Sequence, residues 1–286
     1  MPINMLDIYV STMALQQNSI EDIVEIAKKN ELAIEFSSGL SYSDNMNSFY
    51  ANADIKRIPH NYFPAPLIPF VLNLASENDL IRAKSIEHCK EGLKLAKISN
   101  SPFYCAHAGF CIDPKPKELG IKIEFKDNYI KTKNKNLFLE SVIEILKTAD
   151  ELGLDFLVEN NVLASFNYSN NKNPLLCCES NEIKWLCESI NHNRFGLLLD
   201  TAHLQISCKT LGLEKGLELE SIRKYIKAIH HSDNDCFIDN NLSILNNYWF
   251  LPYMKHFAHI PHVLEVKNLT ITEIHNQLKL LRNACN

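Results

Sequence analysis

The sequence predicts an α/β protein, a single (β/α)8 barrel of the TIM type spanning residues 1–286. Eight short apolar runs alternate with longer amphipathic stretches, the pattern of βαβ units laid around a parallel sheet. With 286 residues, 46% of them hydrophobic, the chain can bury one large core. An open doubly wound sheet is disfavoured, because no GxGxxG turn or P-loop follows the first strand.

Taken in order, the expected strands are LDIYVS (6–11), LAIEFS (32–37), IKRIPH (55–60), FYCAHA (103–108), DFLVEN (155–160), FGLLLD (195–200), KAIHHS (227–232) and HVLEVK (262–267). Each is a short apolar run of strand-like length. Helices are expected at 19–30, 77–97, 136–153, 179–190 and 270–283, where apolar positions recur at three and four. Thr270 and Glu273 have the spacing of a capping box at the start of the last one. The second and seventh units show weaker helical patterns. LLLDTAHLQIS at 197–207 reads as a buried strand running out into a loop. Only eight glycines occur, so asparagine is expected at turns that need positive φ, most clearly in NYSNNKN at 167–173.

Composition narrows the function. The formal net charge is -5 with no basic stripe, which disfavours a nucleic-acid partner. The N-terminus lacks a charged region followed by an apolar stretch, and no run of 18 apolar residues occurs. A cytoplasmic protein with no membrane partner is the expectation. Nine cysteines form no CxxC pair, so reduced and mostly buried thiols are expected. Cys177, Cys178 and Cys187 have the wrong spacing for structural zinc.

In such a barrel the chemistry sits at the C-terminal ends of the strands. There the sequence collects Glu35, His60, His107, Glu159, Asp200, His203, His230, His231 and Glu265. Singly, each has a structural explanation, such as Asp200 capping a helix or His107 packed beside Ala108 and Gly109. Collectively, carboxylates crowded into a barrel mouth would repel one another unless a cation neutralised them. Mixed nitrogen and oxygen donors suit Mn, Zn, Fe or Co.

These residues resemble the xylose isomerase-like barrel superfamily, which contains sugar isomerases and epimerases together with endonuclease IV. The Glu of VEN, the Asp and His of DTAH, the first His of HHSDN and the Glu of VLEV are similar to the metal-site residues of ketose 3-epimerases. The resemblance implies one divalent metal, Mn2+ favoured over Zn2+, Fe2+ or Co2+, on Glu159, Asp200, His230 and Glu265. It gives His203 a substrate oxygen, with His60, His107 and Glu35 facing the same pocket. His231 is the fallback ligand if the strand register slips by one. The implied activity is isomerisation or epimerisation of a small sugar or sugar phosphate, with Glu159 and Glu265 moving protons at opposite faces of an enediolate. Homo-oligomer formation is left open.

PHNY followed by VLNLA is similar to the endonuclease IV segment that supplies a zinc-binding histidine, and His60 and His107 fall where that multi-zinc site takes two ligands. The nuclease segment after strand seven appears here only as DNDCFIDNNLS, without histidine or arginine. A phosphodiester hydrolase is therefore the alternative enzyme, and a non-catalytic sugar-binding barrel a third reading. Lys115 and Lys117 could meet a phosphate, though a loop lysine pair is usually just solvated.

Overall fold

A computed structural model describes residues 6–17, 19–125 and 128–285. The elements run β1 (Ile8–Ser11), α1 (Ile20–Lys29), β2 (Ile34–Phe36), α2 (Met46–Asn52), β3 (Arg57–Pro59), α3 (Asp79–Ile98), β4 (Phe103–His107), α4 (Lys131–Leu152) and β5 (Asp155–Glu159). Then follow α5 (Ser180–Ile190), β6 (Phe195–Asp200), α6 (Thr201–Leu211), α7 (Lys215–Ile222), β7 (Ile226–His231), α8 (Met254–Phe257), β8 (His262–Leu264) and α9 (Ile271–Cys285). All eight expected strands form. They build one parallel sheet in the order β3-β2-β1-β8-β7-β6-β5-β4, a nearly closed α/β barrel.

Closure between β3 and β4 rests on an isolated parallel bridge, His60 with Cys105, and on the Asn61 N–H donating to the Cys105 carbonyl at 2.8 Å. The cause is Pro59. His60 donates backward to Phe36 of β2 at 2.8 Å, so the neighbouring amides point at β4, and proline has none to give.

Side chains alternate across each strand, so one face fills the barrel and the other packs on the helices. The interior holds Tyr9, Ile58, Phe103, Cys105, Leu157, Leu198, Ala228 and Val263, with Ala33 partly buried against them. Two residues further along seven of these inward faces stand Glu35, His60, His107, Glu159, Asp200, His230 and Glu265. The strand-end residues thus form the next layer of the barrel filling. His231 has the opposite parity and faces the helix shell, against Tyr248 and Phe250.

The helices α1 and α9 begin as expected. Ser19 accepts from the Asp22 N–H at 3.1 Å, and the Thr270 and Glu273 side chains and backbones bond reciprocally. In the second and seventh units α2 has 7 residues and α8 has 4. The loop expected after Asp200 is instead α6, which starts at the very next residue. Residues 201 to 208 of this helix are all buried, so no polar face marks its period in the sequence. Of the ten non-glycine residues with positive φ among those described, seven are asparagines, Asn170 and Asn171 included. Seven of the nine cysteines are buried.

Candidate metal centre and active site

Register brings the strand-end groups together. Asp200 of β6 pairs with His230 of β7, and His107 of β4 pairs with Glu159 of β5. Glu265 follows the last residue of β8, its N–H donating to the His231 carbonyl at 3.0 Å. Ligand atoms from Glu159, Asp200, His230 and Glu265 lie within 4.8 Å of one another, and all four residues are buried.

Asp200 and Glu159 each have one carboxylate oxygen engaged and the other without a hydrogen-bond partner. The Asp200 Oδ1 accepts from the His203 N–H at 2.8 Å, capping α6, while its Oδ2 is buried without a hydrogen-bond partner. Glu159 Oε2 lies 2.8 Å from His60 Nε2, and its Oε1 also has no hydrogen-bond partner. His230 Nε2 lies 2.8 Å from Glu35 Oε2, which leaves Nδ1 facing the centre, 2.9 Å from Glu265 Oε2. His60 is itself held by Ser37, whose Oγ is 3.1 Å from Nδ1.

Buried carboxylate oxygens without donors are costly unless a cation or proton compensates them. Three carboxylates and one imidazole at this spacing form a donor set suited to a divalent metal. With an ion in place, Glu35 would act on His230 as an outer carboxylate does on a ligating histidine, fixing the ring and its tautomer. Histidines 60 and 107 form a second cluster with Glu159, again within 4.8 Å.

The electrostatics follow from this crowding. Burial opposes charging of His230, but Glu35, Glu265 and Glu159 raise its pKa well above the ordinary imidazole range. His203 is likewise raised against burial, by Asp200 and Asp239, and His60 by Glu35 and Glu159. Burial holds His107 low. Glu159 lies well below the usual carboxylate range despite burial, because His107, His230 and His60 stabilise its charge. His230 does the same for Glu265, down to about 2, again against burial. For Asp200 burial prevails, with Glu265 and Glu159 adding to the rise and His203 opposing it.

Above the centre opens a cavity of about 760 Å³, whose wall includes His107, His203, Asp239 and Glu265. His203 bridges floor and cavity. Its Nδ1 lies 2.8 Å from the Asn160 carbonyl, and its Nε2 is 3.3 Å from Asp239 and 3.8 Å from Asp200 Oδ2. Glu35 and His60 sit beneath, at 0% and 1% exposure. The exposed Lys115 and Lys117 are not part of the cavity wall.

Sequence reasoning did not single out two participants. Asp239 lies within DNDCFIDNNLS, a stretch that stands out in the sequence only for lacking histidine and arginine. Asn160 staples β5 to β6 through both its amide atoms, accepting from the Asp200 N–H at 2.8 Å and donating to the Asp200 carbonyl at 3.0 Å. An Asn beside a strand-end Glu is visible in the sequence, but its cross-strand partner is not.

The family described as xylose isomerase-like TIM barrel matches residues 10–263. The chain belongs to that family. Among solved xylose isomerase-like and related barrels, a D-tagatose 3-epimerase-like protein superposes with a TM-score of 0.72 at 18% identity, over 97% of this chain and 96% of that one. A Thermus thermophilus protein soaked with zinc chloride gives 0.65 at 17%, covering 96% and 97%. D-psicose 3-epimerase from Clostridium cellulolyticum, with D-tagatose, gives 0.62 at 16%, covering 98% and 95%. At such identities the likeness is one of fold. No curated protein sequence matches the chain significantly. No helix among the described residues is long and apolar enough to cross a membrane.

Proposed function

We propose that the protein is a metal-dependent isomerase or epimerase of a small sugar or sugar phosphate. The observation that carries this reading is the buried Glu159, Asp200, His230 and Glu265 cluster beneath a cavity of about 760 Å³. Membership of a barrel family whose solved structural neighbours include ketose 3-epimerases supports it.

The four clustered side chains would hold the ion, and a divalent ion there supplies a Lewis acid for a substrate carbonyl and its neighbouring oxygen. Manganese is the preferred ion, with zinc, iron and cobalt as alternatives. Glu159 and Glu265 project from β5 and from the end of β8, with β6 and β7 between them. That placement lets one take the proton from the carbon beside the carbonyl and the other return it to the opposite face of the planar enediolate, which inverts the carbon. Each must keep an oxygen clear of the ion to act as a base. His203 and His107, both in the cavity wall, would hold substrate hydroxyls. His60 and Glu35, below it, orient Glu159 and His230.

The second reading, a phosphodiester hydrolase, draws on the His60, His107 and Glu159 cluster, which could hold another ion beside the first. Against it stand the net charge of -5 and the scarcity of cations around the cavity. Incubation of the metal-loaded protein with ketoses and ketose phosphates in deuterated water tests the two. Deuterium at the isomerised or epimerised carbon supports the sugar reading. Phosphate release or nicking of an abasic duplex without such label supports the hydrolase, and binding without either reaction supports a non-catalytic barrel.

A further inference from the structure

We infer that the substrate is a neutral sugar carrying an apolar substituent, its polar head over the carboxylate cluster and its apolar part against the cavity wall. This rests on the sugar reading of the site and names the substrate class for it.

The cavity is larger than the head group requires. At about 760 Å³ it lies in the range that encloses drug-sized ligands, well beyond a free monosaccharide. Its polar lining comes from the strand-end groups and from Ser37, Ser38, Ser41, Asn241 and Lys267, which follow β2, β7 and β8. Away from His107, His203, Asp239 and Glu265, the wall includes Tyr62, Leu67, Phe70, Phe110, Ile123 and Phe166. These come from the loops after β3, β4 and β5, so the apolar wall is continuous with the proposed reaction centre.

The wall is built rather than incidental. Phe110 and Ile123 belong to a small secondary core with Val71, Leu163, Leu175 and Cys178, which ties the three loops together. Polar side chains among them are committed to the loops' own backbone. Asn161 donates to the carbonyls of Ala108, Gly109 and Leu176, and Asn167 accepts from the Ile123 N–H at 2.9 Å. Few hydrogen-bonding groups are left there to receive more sugar hydroxyls. Yet Leu67 remains 69% exposed and Phe166 36%. Apolar groups left at a cavity mouth favour a ligand that takes them out of water.

Charge argues against a phosphate in the same place. Among the described residues lining the cavity, Lys267 is the single lysine or arginine, and it shares the wall with the carboxylates of Asp239 and Glu265. A phosphoryl group is ordinarily met by convergent cations or a helix N-terminus aimed at it.

The test measures binding of 6-O-acetyl-, 6-O-butanoyl- and 6-O-octanoyl-D-fructose, with D-fructose and D-fructose 6-phosphate, to the manganese-loaded protein by calorimetry. Affinity is expected to rise at least about tenfold from acetyl to octanoyl, since each buried methylene adds to binding. In Leu67→Ser and Phe166→Ser, both at partly exposed positions that should tolerate the change, that rise should shrink severalfold. Equal affinity along the acyl series, or tightest binding by the 6-phosphate, overturns the inference. Deuterium exchange into free ketoses, measured beside it, separates the two failures. Exchange without any gain from the acyl chain leaves the sugar reading standing and removes only this inference. A rise with chain length that neither serine variant alters shows the chain binding elsewhere and equally overturns it.

Discussion

Asp200 performs two tasks with its two oxygens, and substitutions can separate them. Oδ1 caps α6 through the His203 N–H at 2.8 Å, and Oδ2 is the buried, unpartnered atom facing the proposed ion. Asp200→Asn keeps an oxygen for the cap and replaces the metal-facing atom with an amide that cannot ligate. Metal affinity should fall by more than the roughly 10- to 100-fold that loss of an outer partner costs, since here a ligand itself is lost. Without metal, the same variant should be at least as stable as the parent, because burial and the charges of Glu265 and Glu159 already oppose ionisation of Asp200. Asp200→Ala loses both functions, and the missing cap should cost a further ~1 kcal/mol, or about 2–4 °C in Tm. Metal content by elemental analysis, manganese titration calorimetry and melts with and without chelator give the necessary comparison. Stoichiometric metal at undiminished affinity in Asp200→Asn would refute the ligand assignment. Identical chelated melts for the Asn and Ala variants would refute the cap.

Glu159→Gln and Glu265→Gln should each lower turnover by about 10² or more, as positioned acid-base groups supply roughly 10²- to 10⁴-fold; full activity in both with metal retained would move the search for a base to Glu35, His107 or His60. His203→Ala should keep metal bound and raise KM or lower kcat, whereas metal loss at unchanged fold would make His203 a ligand. Stability should carry an acid limb from His262, whose imidazole burial holds at about 4, against an ordinary 6.5. The unfolded chain therefore takes up this proton first, so stability is full above about pH 6.5 and falls by ~3 kcal/mol as pH drops to 4. His230 and His203, with raised values, contribute the opposite slope, so the check is the difference between parent and His262→Asn in chelated urea unfolding across that window. Parallel curves would show that His262 does not titrate in the folded state as its burial requires.

What could be read from the sequence was whatever repeats along a strand. Short apolar runs set between longer amphipathic stretches marked all eight strands, and position at the strand ends grouped Glu159, Asp200, His230 and Glu265. Helix α6 escaped because TAHLQISC is buried on every side, and an amphipathic stripe needs a wet face to be seen. The seam at Pro59 was equally hidden, since the direction in which its missing N–H would point depends on which residue pairs with β2. Asp239 reaches His203 only because the long connection after β7 folds back over the barrel mouth, an approach no local pattern encodes. The apolar wall of the cavity comes from three loops whose residues lie far apart in the chain, and only packing joins them.

The layer at the barrel mouth sets the carboxylates of Glu35, Glu159, Asp200 and Glu265 against the imidazoles of His60, His107, His203 and His230, all buried except His107, which stands in the cavity wall. Without a metal, protons supply the compensating charge, which is why carboxylates raise His230, His203 and His60 although burial opposes it. The proton most directly in the way is the one on His230, because Nδ1 points at the centre while Glu35 holds Nε2. A divalent ion would need that nitrogen's lone pair, so loading must release the proton, and the charge of the layer then changes by less than the ion's own. His107 stands apart, held low by burial at the cavity wall, where a neutral ring can accept from a substrate hydroxyl. The division of labour among the four imidazoles thus follows depth. Those packed against carboxylates hold the charge of the layer, His203 among them at the cavity wall, whereas the more exposed ring of His107 is relieved of that charge.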